Sequence, residues 1–317
     1  MKKLPFLHRG LTALVAAVIS LVTFSTAYAD TLRIGYQKYG PLVLLKDNGT
    51  LEKRLSEQGV EVKWTEFPGG PQLLEGLNVG SVDFGMTGET PPVFAQAAKA
   101  DLVYVAYDVP APTSEAILVP KDSPIQSVAD LKGKKVALNK GSNVHYLLVR
   151  ALESVGLTYA DVQPVYLAPS DARAAFERGS VDAWVIWDPF QAAAEEQLQA
   201  RTLRDGTNLV DNHQFYLSTR NYANNNPEII KILIEEVDKT GNWIKSNLDE
   251  ATDLVAPIFG LSREIAYKAV ARQGNEAHFI TDNVVNAQQK IADTFTDLKL
   301  IPVKLNISEV IWTPPAN

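Results

Sequence analysis

The sequence predicts an α/β protein of two Rossmann-like lobes facing a central cleft, with two crossovers of the chain between them. Three observations carry this expectation. The tetrapeptide Gly-Ser-Val-Asp occurs at residues 80–83 and again at 179–182. Each copy ends a helix-forming stretch (72–79 and 171–178) and opens an apolar run (84–88 and 183–188). Before each copy the chain reads strand, helix, strand, helix, the order that builds a parallel sheet.

The elements follow in chain order. Residues 32–36 read as the first strand, and 42–58 carry helix formers up to Gly59, a C′ glycine, with Gly49 inside as a breaker. Residues 60–67 alternate apolar and polar, the period of a half-buried strand. Gly69, Gly70 and Pro71 break that run and start a second helix, which leads into the first repeat and its strand. The order then recurs. Residues 135–139 form a strand, and 143–155 a helix with Val144, Leu147, Leu148, Ala151, Leu152 and Val155 on one stripe and Gly156 as its stop. Residues 162–167 form a strand that Pro164 moves to a sheet edge, and Ser170 is expected to N-cap the helix before the second repeat.

Residues 102–107 and 115–119 look extended, and the Val-Pro-Ala-Pro segment at 109–112 between them is a candidate hinge. Residues 213–218 read as a strand returning to the first lobe. From Pro227 onward the chain is mostly helical, with stripes at Ile229, Ile230, Ile232, Leu233 and Val237, at Ile265 and Val270, and at Val284, Ile291 and Phe295. This tail is assigned to the first lobe. The expected division is 1–29 as a signal peptide, 30–111 with 219–317 as the first lobe, and 112–218 as the second.

A chain of 317 residues has room for two domains, and 46% hydrophobic with 21% charged residues is ordinary globular composition. Lys2, Lys3 and Arg9 precede an apolar stretch at 11–24, and Ala27-Tyr28-Ala29 has the small-x-small form of a signal-peptidase site. The stretch is short for a membrane span of about 20 residues, so cleavage after Ala29 is expected. Loss of three basic residues from 30 leaves 27 against 37 acidic ones, a net charge of −10. That balance offers no basic field to nucleic acid or an anionic membrane. The chain has no cysteine, which excludes disulfides, thiol catalysis, thiolate metal sites and lipid attachment at an N-terminal cysteine. A freely soluble protein of the bacterial periplasm is expected.

The strongest candidate site is 139–143, Asn-Lys-Gly-Ser-Asn, which joins a buried strand to a helix N-terminus. In a parallel sheet this junction lies at the carboxyl end of the strand, where ligands bind. Free N–H groups and the positive helix end favour an anion there, with Gly141, Ser142 and Asn143 as donors; an ordinary N-cap uses the same residue types. Thr87, Gly88 and Glu89 end the first repeat's strand, either as a ligand contact or as a capped turn before Pro91. Gln37, with Lys38 and Tyr39, follows the first strand on the cleft rim or forms a solvated turn. Trp187 and Asp188 end the second repeat's strand, where an aromatic can wall off an alkyl group. Trp184 falls on the opposite face and is assigned to the core. Asp83 and Asp182 open their strands and read as turn-capping groups.

Enzymatic chemistry has little support. His145, His213 and His278 are too scattered for a metal site, His145 is assigned to the cleft rim or a cap, and no nucleophile elbow, P-loop or dinucleotide fingerprint is present. No cofactor or metal is expected.

At this point the residues resemble a known family, the periplasmic solute-binding proteins of ABC importers for aliphatic sulfonates, relatives of the taurine and nitrate binders. The matching segments are Arg-Ile-Gly-Tyr-Gln-Lys at 33–38, Glu-Phe-Pro-Gly-Gly-Pro-Gln at 66–72, Gly-Leu-Asn-Val at 76–79 running into the repeat, and Gly-Glu-Thr-Pro-Pro at 88–92. Further on they are Asp-Leu-Lys-Gly-Lys-Lys-Val at 130–136, Lys-Gly-Ser at 140–142 and Ile-Trp-Asp-Pro at 186–189. The resemblance implies a type II periplasmic-binding-protein fold that closes on its ligand. It implies that Gln37, Thr87, Gly88, Gly141 and Ser142 hold a sulfonate, with Trp187 by the alkyl chain and Asn143 and Asp188 as further contacts. It implies an alkanesulfonate as ligand, a membrane permease as partner and a monomer. Glu89 stands where family members carry Asp. Taurine would need a partner for its ammonium, with Glu89 or Asp188 as candidates. An enzyme on the same fold, of desulfinase or thiamin-pyrimidine synthase type, would need cysteine or clustered histidines.

Overall fold

The computed structural model describes residues 30–315, so the signal peptide expected at 1–29 lies outside the described residues. The first run of elements is β1 (Asp30–Tyr36), α1 (Leu42–Asn48), α2 (Thr50–Ser56), β2 (Val60–Glu66), α3 (Gly70–Asn78), β3 (Phe84–Gly88), α4 (Pro91–Ala97) and β4 (Leu102–Asp108). The second is β5 (Glu115–Val119), β6 (Lys135–Leu138), α5 (Asn143–Ser154), β7 (Gln163–Tyr166), α6 (Pro169–Glu177), β8 (Ala183–Trp187), α7 (Phe190–Gln197) and β9 (Arg201–Asp205). The chain then runs through β10 (Gln214–Thr219), α8 (Arg220–Asn225), α9 (Pro227–Ser246), α10 (Leu248–Phe259), α11 (Arg263–Ala271), β11 (Ala277–Phe279) and α12 (Asp282–Asp297).

Two mixed sheets result. The six-stranded sheet has the order β11-β4-β10-β3-β1-β2, and the five-stranded sheet the order β7-β6-β8-β5-β9. Strands β1, β2 and β3 run parallel, as do β6, β7 and β8, while β10 and β5 are the antiparallel neighbours of β3 and β8. The chain crosses between sheets at residues 109–114 and 206–213, on either side of β5–β9. No helix among the described residues is long and apolar enough to cross a membrane.

The repeated tetrapeptide makes the same tie in both sheets. Gly80 and Gly179 take left-handed φ values of +72° and +66°, which lets the chain turn out of α3 and α6 without a Cβ clash. Asp83 N–H donates to the Arg33 carbonyl at 2.7 Å, and the Asp83 carboxylate accepts Arg33 N–H at 2.9 Å. Asp182 repeats both bonds with Lys135, each at 2.8 Å. The aspartates thus pin the entry of β3 to β1 and of β8 to β6, as turn-capping groups should, far from the strands' carboxyl ends.

Four expectations change. The helix expected over 42–58 is two helices, broken at Gly49, whose φ is +66°. Ser170 is not an N-cap, because Pro169 occupies the first turn and the cap falls on Ala168. Strand β10 pairs with β3 and β4, so a lobe boundary at 218 would cut a strand of the first sheet; sheet membership places the crossover before Gln214. The helical tail also does not rest on the first lobe alone. Helix α9 packs on α1 and α2, but α11 packs on α7 of the second lobe, where Ile265 and Ala269 close a small core with Ala192 and Ala193. Lys268 and Arg272 of this segment ion-pair with Glu196 and Glu195.

Candidate functional site

The carboxyl ends of the parallel strands face one another across the gap between the sheets. The cavity there is lined by Gln37, Tyr39, Gly70, Gly88, Pro91, Ser114, Ser142, Asn143, Trp187, Asn212 and Gln214. Measured by the positions open to a water centre it is about 20 Å³, enough for one water or slightly more. The lobes meet closely around it: Asn143 lies within 3 Å of where a Gly88 Cβ would stand, and Trp187 lies 4.0 Å from that of Gly69. Glycine at 88 is therefore required by the approach of the facing lobe.

One hydrogen-bond network ties both lobes to the crossovers. Ser114 Oγ donates to the Ala111 carbonyl at 2.8 Å and accepts from Asn212 Nδ2 at 3.0 Å. It pairs with Tyr39 Oη at 2.9 Å, and since its proton is committed to Ala111, Tyr39 is the donor. Asn143 Nδ2 reaches Asn212 Oδ1 at 3.1 Å and also donates to the Glu115 carboxyl. Gln37 Nε2 is held by the Met86 carbonyl at 3.1 Å.

The electrostatics are those of a neutral box. None of the lining residues carries a formal charge. Beneath it, burial pushes Glu89 up to about 8, partly opposed by the His213 N–H it accepts. Burial also holds Glu115 well above the usual carboxylate range, and the neighbouring Glu89 carboxyl further disfavours its ionisation. Burial thus favours the neutral form of both acids, and each has an Oε1 without a hydrogen-bond partner among the described residues. Two helices aim their N-termini into the box, α3 through Gly70 from the first lobe and α5 through Ser142 and Asn143 from the second. The leading N–H groups of a helix have no partner within it and form its positive end.

Of the residues named from the sequence, the cavity brings together Gln37, Gly88, Ser142, Asn143 and Trp187. Thr87 is buried behind Gly70, and its Oγ1 donates to the Gly88 carbonyl at 3.2 Å. Glu89 turns away to cap the backbone of His213. Gly141 faces Phe94, and its N–H is taken by His145 Nδ1 at 3.3 Å. His145 is not a rim residue: its ring is fully buried among Phe94, Tyr159, Tyr166 and Phe295, and burial lowers it to about 4. Asp188 is also fully buried, with Oδ1 accepting Ala192 N–H at 3.0 Å and Oδ2 facing Arg272 at 3.4 Å. Trp184 sits in the core against Phe176, as its position in the strand predicts.

Gly70, Ser114, Asn212 and Gln214 were missed. Ser114 and Asn212 lie in the two crossovers and Gln214 opens β10 just after the second, and in a clamshell a crossover must pass the floor of the cleft. The Pro-rich hinge at 109–112 and the returning strand at 213–218 marked these places, but nothing in the local sequence marks the side chains. Among the described residues no group of three or more His, Cys, Asp or Glu is placed to hold a metal ion.

Two sheets, a narrow cleft between them and a polar box at facing strand ends define a two-lobe solute-binding protein. The chain belongs to the NMT1/THI5-like family, whose model matches residues 55–251. It is 46% identical over 305 residues to a putative aliphatic sulfonates-binding protein of Escherichia coli, covering 95% of each chain. The alkanesulfonate-binding protein SsuA of Xanthomonas axonopodis pv. citri, bound to MOPS, superposes with a TM-score of 0.85 at 40% identity, over 89% of this chain and 98% of that one. The periplasmic aliphatic sulphonate-binding protein SsuA of E. coli gives 0.83 at 45% identity, over 91% and 94%. These relatives are binding proteins, not enzymes.

Proposed function

We propose that the box between the lobes, widening from its present one-water size as the lobes part, seats the anionic head of an aliphatic sulfonate, and that the protein presents this ligand to the membrane permease of an ABC importer. The observation that carries the reading is the convergence of two helix N-termini, one from each lobe, on a small cavity lined only by neutral groups. A sulfonate is a permanent anion with three acceptor oxygens. Helix ends and neutral N–H or O–H donors satisfy it without a lysine that would be stranded when the ligand leaves. Because the donors come from both lobes, binding favours the closed arrangement and release follows opening. Glu89, raised to about 8, adds little repulsion at pH 7.

A periplasmic location fits the relatives, with residues 1–29 removed before the protein acts as a monomer. Taurine fits less well. Asp188 is already engaged by Arg272 and the Ala192 N–H, and Glu89 is protonated, so neither offers a carboxylate for an ammonium. Calorimetry with ethanesulfonate, taurine, sulfate and nitrate tests the reading. Ethanesulfonate is expected to bind more tightly than the other three; tight binding of sulfate or nitrate without sulfonate binding would overturn it.

A further inference from the structure

His145 does not line the box, yet it is a polar ring sunk among aromatic ones. Its Nδ1 accepts the Gly141 N–H at 3.3 Å. A ring nitrogen that accepts carries no proton, so the proton of the neutral imidazole sits on Nε2. That atom is buried and has no hydrogen-bond partner among the described residues. A buried donor left unpaired costs stability, and a phenylalanine would fill this space without the cost. Packing alone therefore does not account for a histidine here, whereas the bond to Gly141 does.

That bond lies at the entrance to α5. Gly141 takes a left-handed φ of +74° in the turn before the helix. Ser142 N–H and Oγ both donate to the Asn139 carbonyl, at 3.3 and 2.8 Å, and close the turn on itself. The Gly141–His145 bond ties this turn to the first turn of the helix. Ser142 and Asn143 then line the box, and the leading N–H groups of α5 have no partner within the helix. Gly141 is buried, so without the imidazole its N–H would lack an acceptor and the turn would have to re-form to find one.

The ring is gripped from both lobes. Tyr159 and Tyr166 of the second lobe stand at centroid distances of 5.0 and 6.0 Å. Phe94 of α4 stacks at 6.4 Å, and Phe295 of α12 meets the ring edge-on at 5.1 Å. Helix α4 follows β3 of the first lobe, and α12 is held there through Gln288, which donates to Tyr104 Oη of β4 at 2.8 Å. While the lobes are together, these neighbours keep the ring from swinging away from Gly141.

We propose that His145 is a positioning residue for anion binding: its Nδ1 fixes the turn at 139–142 so that the start of α5 faces the box. This rests on the sulfonate reading of the box, and the histidine itself touches no ligand.

The test compares His145→Phe, which keeps a ring but loses the acceptor, with His145→Asn, whose Oδ1 stands at the position of Nδ1. Calorimetry with ethanesulfonate at pH 7 is expected to show binding about tenfold weaker in the phenylalanine variant. The asparagine variant should stay within about twofold of the parent, although it packs less well. The Gly141 amide resonance should move in the phenylalanine variant and return towards the parent position in the asparagine one. His145→Leu replaces His145→Phe if the latter fails to fold by circular dichroism. Parent-like affinity without the acceptor, or equal losses in both variants, would overturn the proposal. Absence of ethanesulfonate binding in the parent would instead overturn the sulfonate reading, and the role in binding with it.

Discussion

Glu89 and Asp188 hold the same place in the two lobes. Each is the residue after the strand that a Gly-Ser-Val-Asp turn opens, each is an acid, and each is buried. Their surroundings differ. Asp188 faces the guanidinium of Arg272, which arrives from the C-terminal helices, whereas Glu89 meets a backbone N–H and a second buried acid, Glu115. Burial raises both, Asp188 to about 7 against the pull of Arg272 and Glu89 to about 8. The comparison teaches that one position serves two ends. In the second lobe it anchors the tail and so fixes the strand end that carries Trp187. In the first it keeps a neutral acid beside the box.

The largest expected effect comes from cutting the anchored side. Arg272→Ala strands Asp188 and should cost about 3 kcal/mol in urea unfolding, the lower end of the range because Arg272 is 24% exposed. A loss under half that size would mean that Asp188 is content as a neutral acid and that the two positions are alike.

Glu89→Gln sharpens the other side. The folded value of about 8 lies above the ordinary 4.5, so the folded protein binds a proton that the unfolded chain releases. Its contribution is fully present below pH 4.5 and is lost as pH rises through 8. Thermal melts of Glu89→Gln between pH 5 and 9 should show a shallower decline than the parent chain. The decline should not vanish, because Asp108, buried and raised to about 7, titrates in the same window. An unchanged slope would show that Glu89 is charged in the fold.

The smallest effect falls on a donor of the box. Ser142 Oγ spends its proton on the Asn139 carbonyl at 2.8 Å. Ser142→Ala should therefore change sulfonate binding by less than about 1 kcal/mol in calorimetry, because the hydroxyl proton is already committed to Asn139. A loss of 3 kcal/mol would mean that the hydroxyl turns to the ligand on binding.

The sheets were legible because their signals are local. Apolar strands, the glycine stops and the repeated turn lie within a few residues of one another. Gln37, Gly88, Ser142, Asn143 and Trp187 were legible for a related reason: each sits at a strand's carboxyl end, a position that topology marks as a ligand site. What stayed hidden depends on distant pairs. Asn212 meets Ser114 across 98 positions and Arg272 meets Asp188 across 84, and no spacing rule joins them. Gly141 shows the same limit, since its N–H looked free until the fold placed His145 against it.

The central claim is that a permanent anion is held by neutral donors beside a buried acid, Glu89, that stays largely protonated at pH 7. Calorimetric titration of ethanesulfonate at pH 7 and again at pH 9 tests it directly. The account predicts clear binding at pH 7 and several-fold weaker binding at pH 9, as Glu89 ionises through about 8. Affinity that is equal at the two pH values, or higher at pH 9, would contradict it.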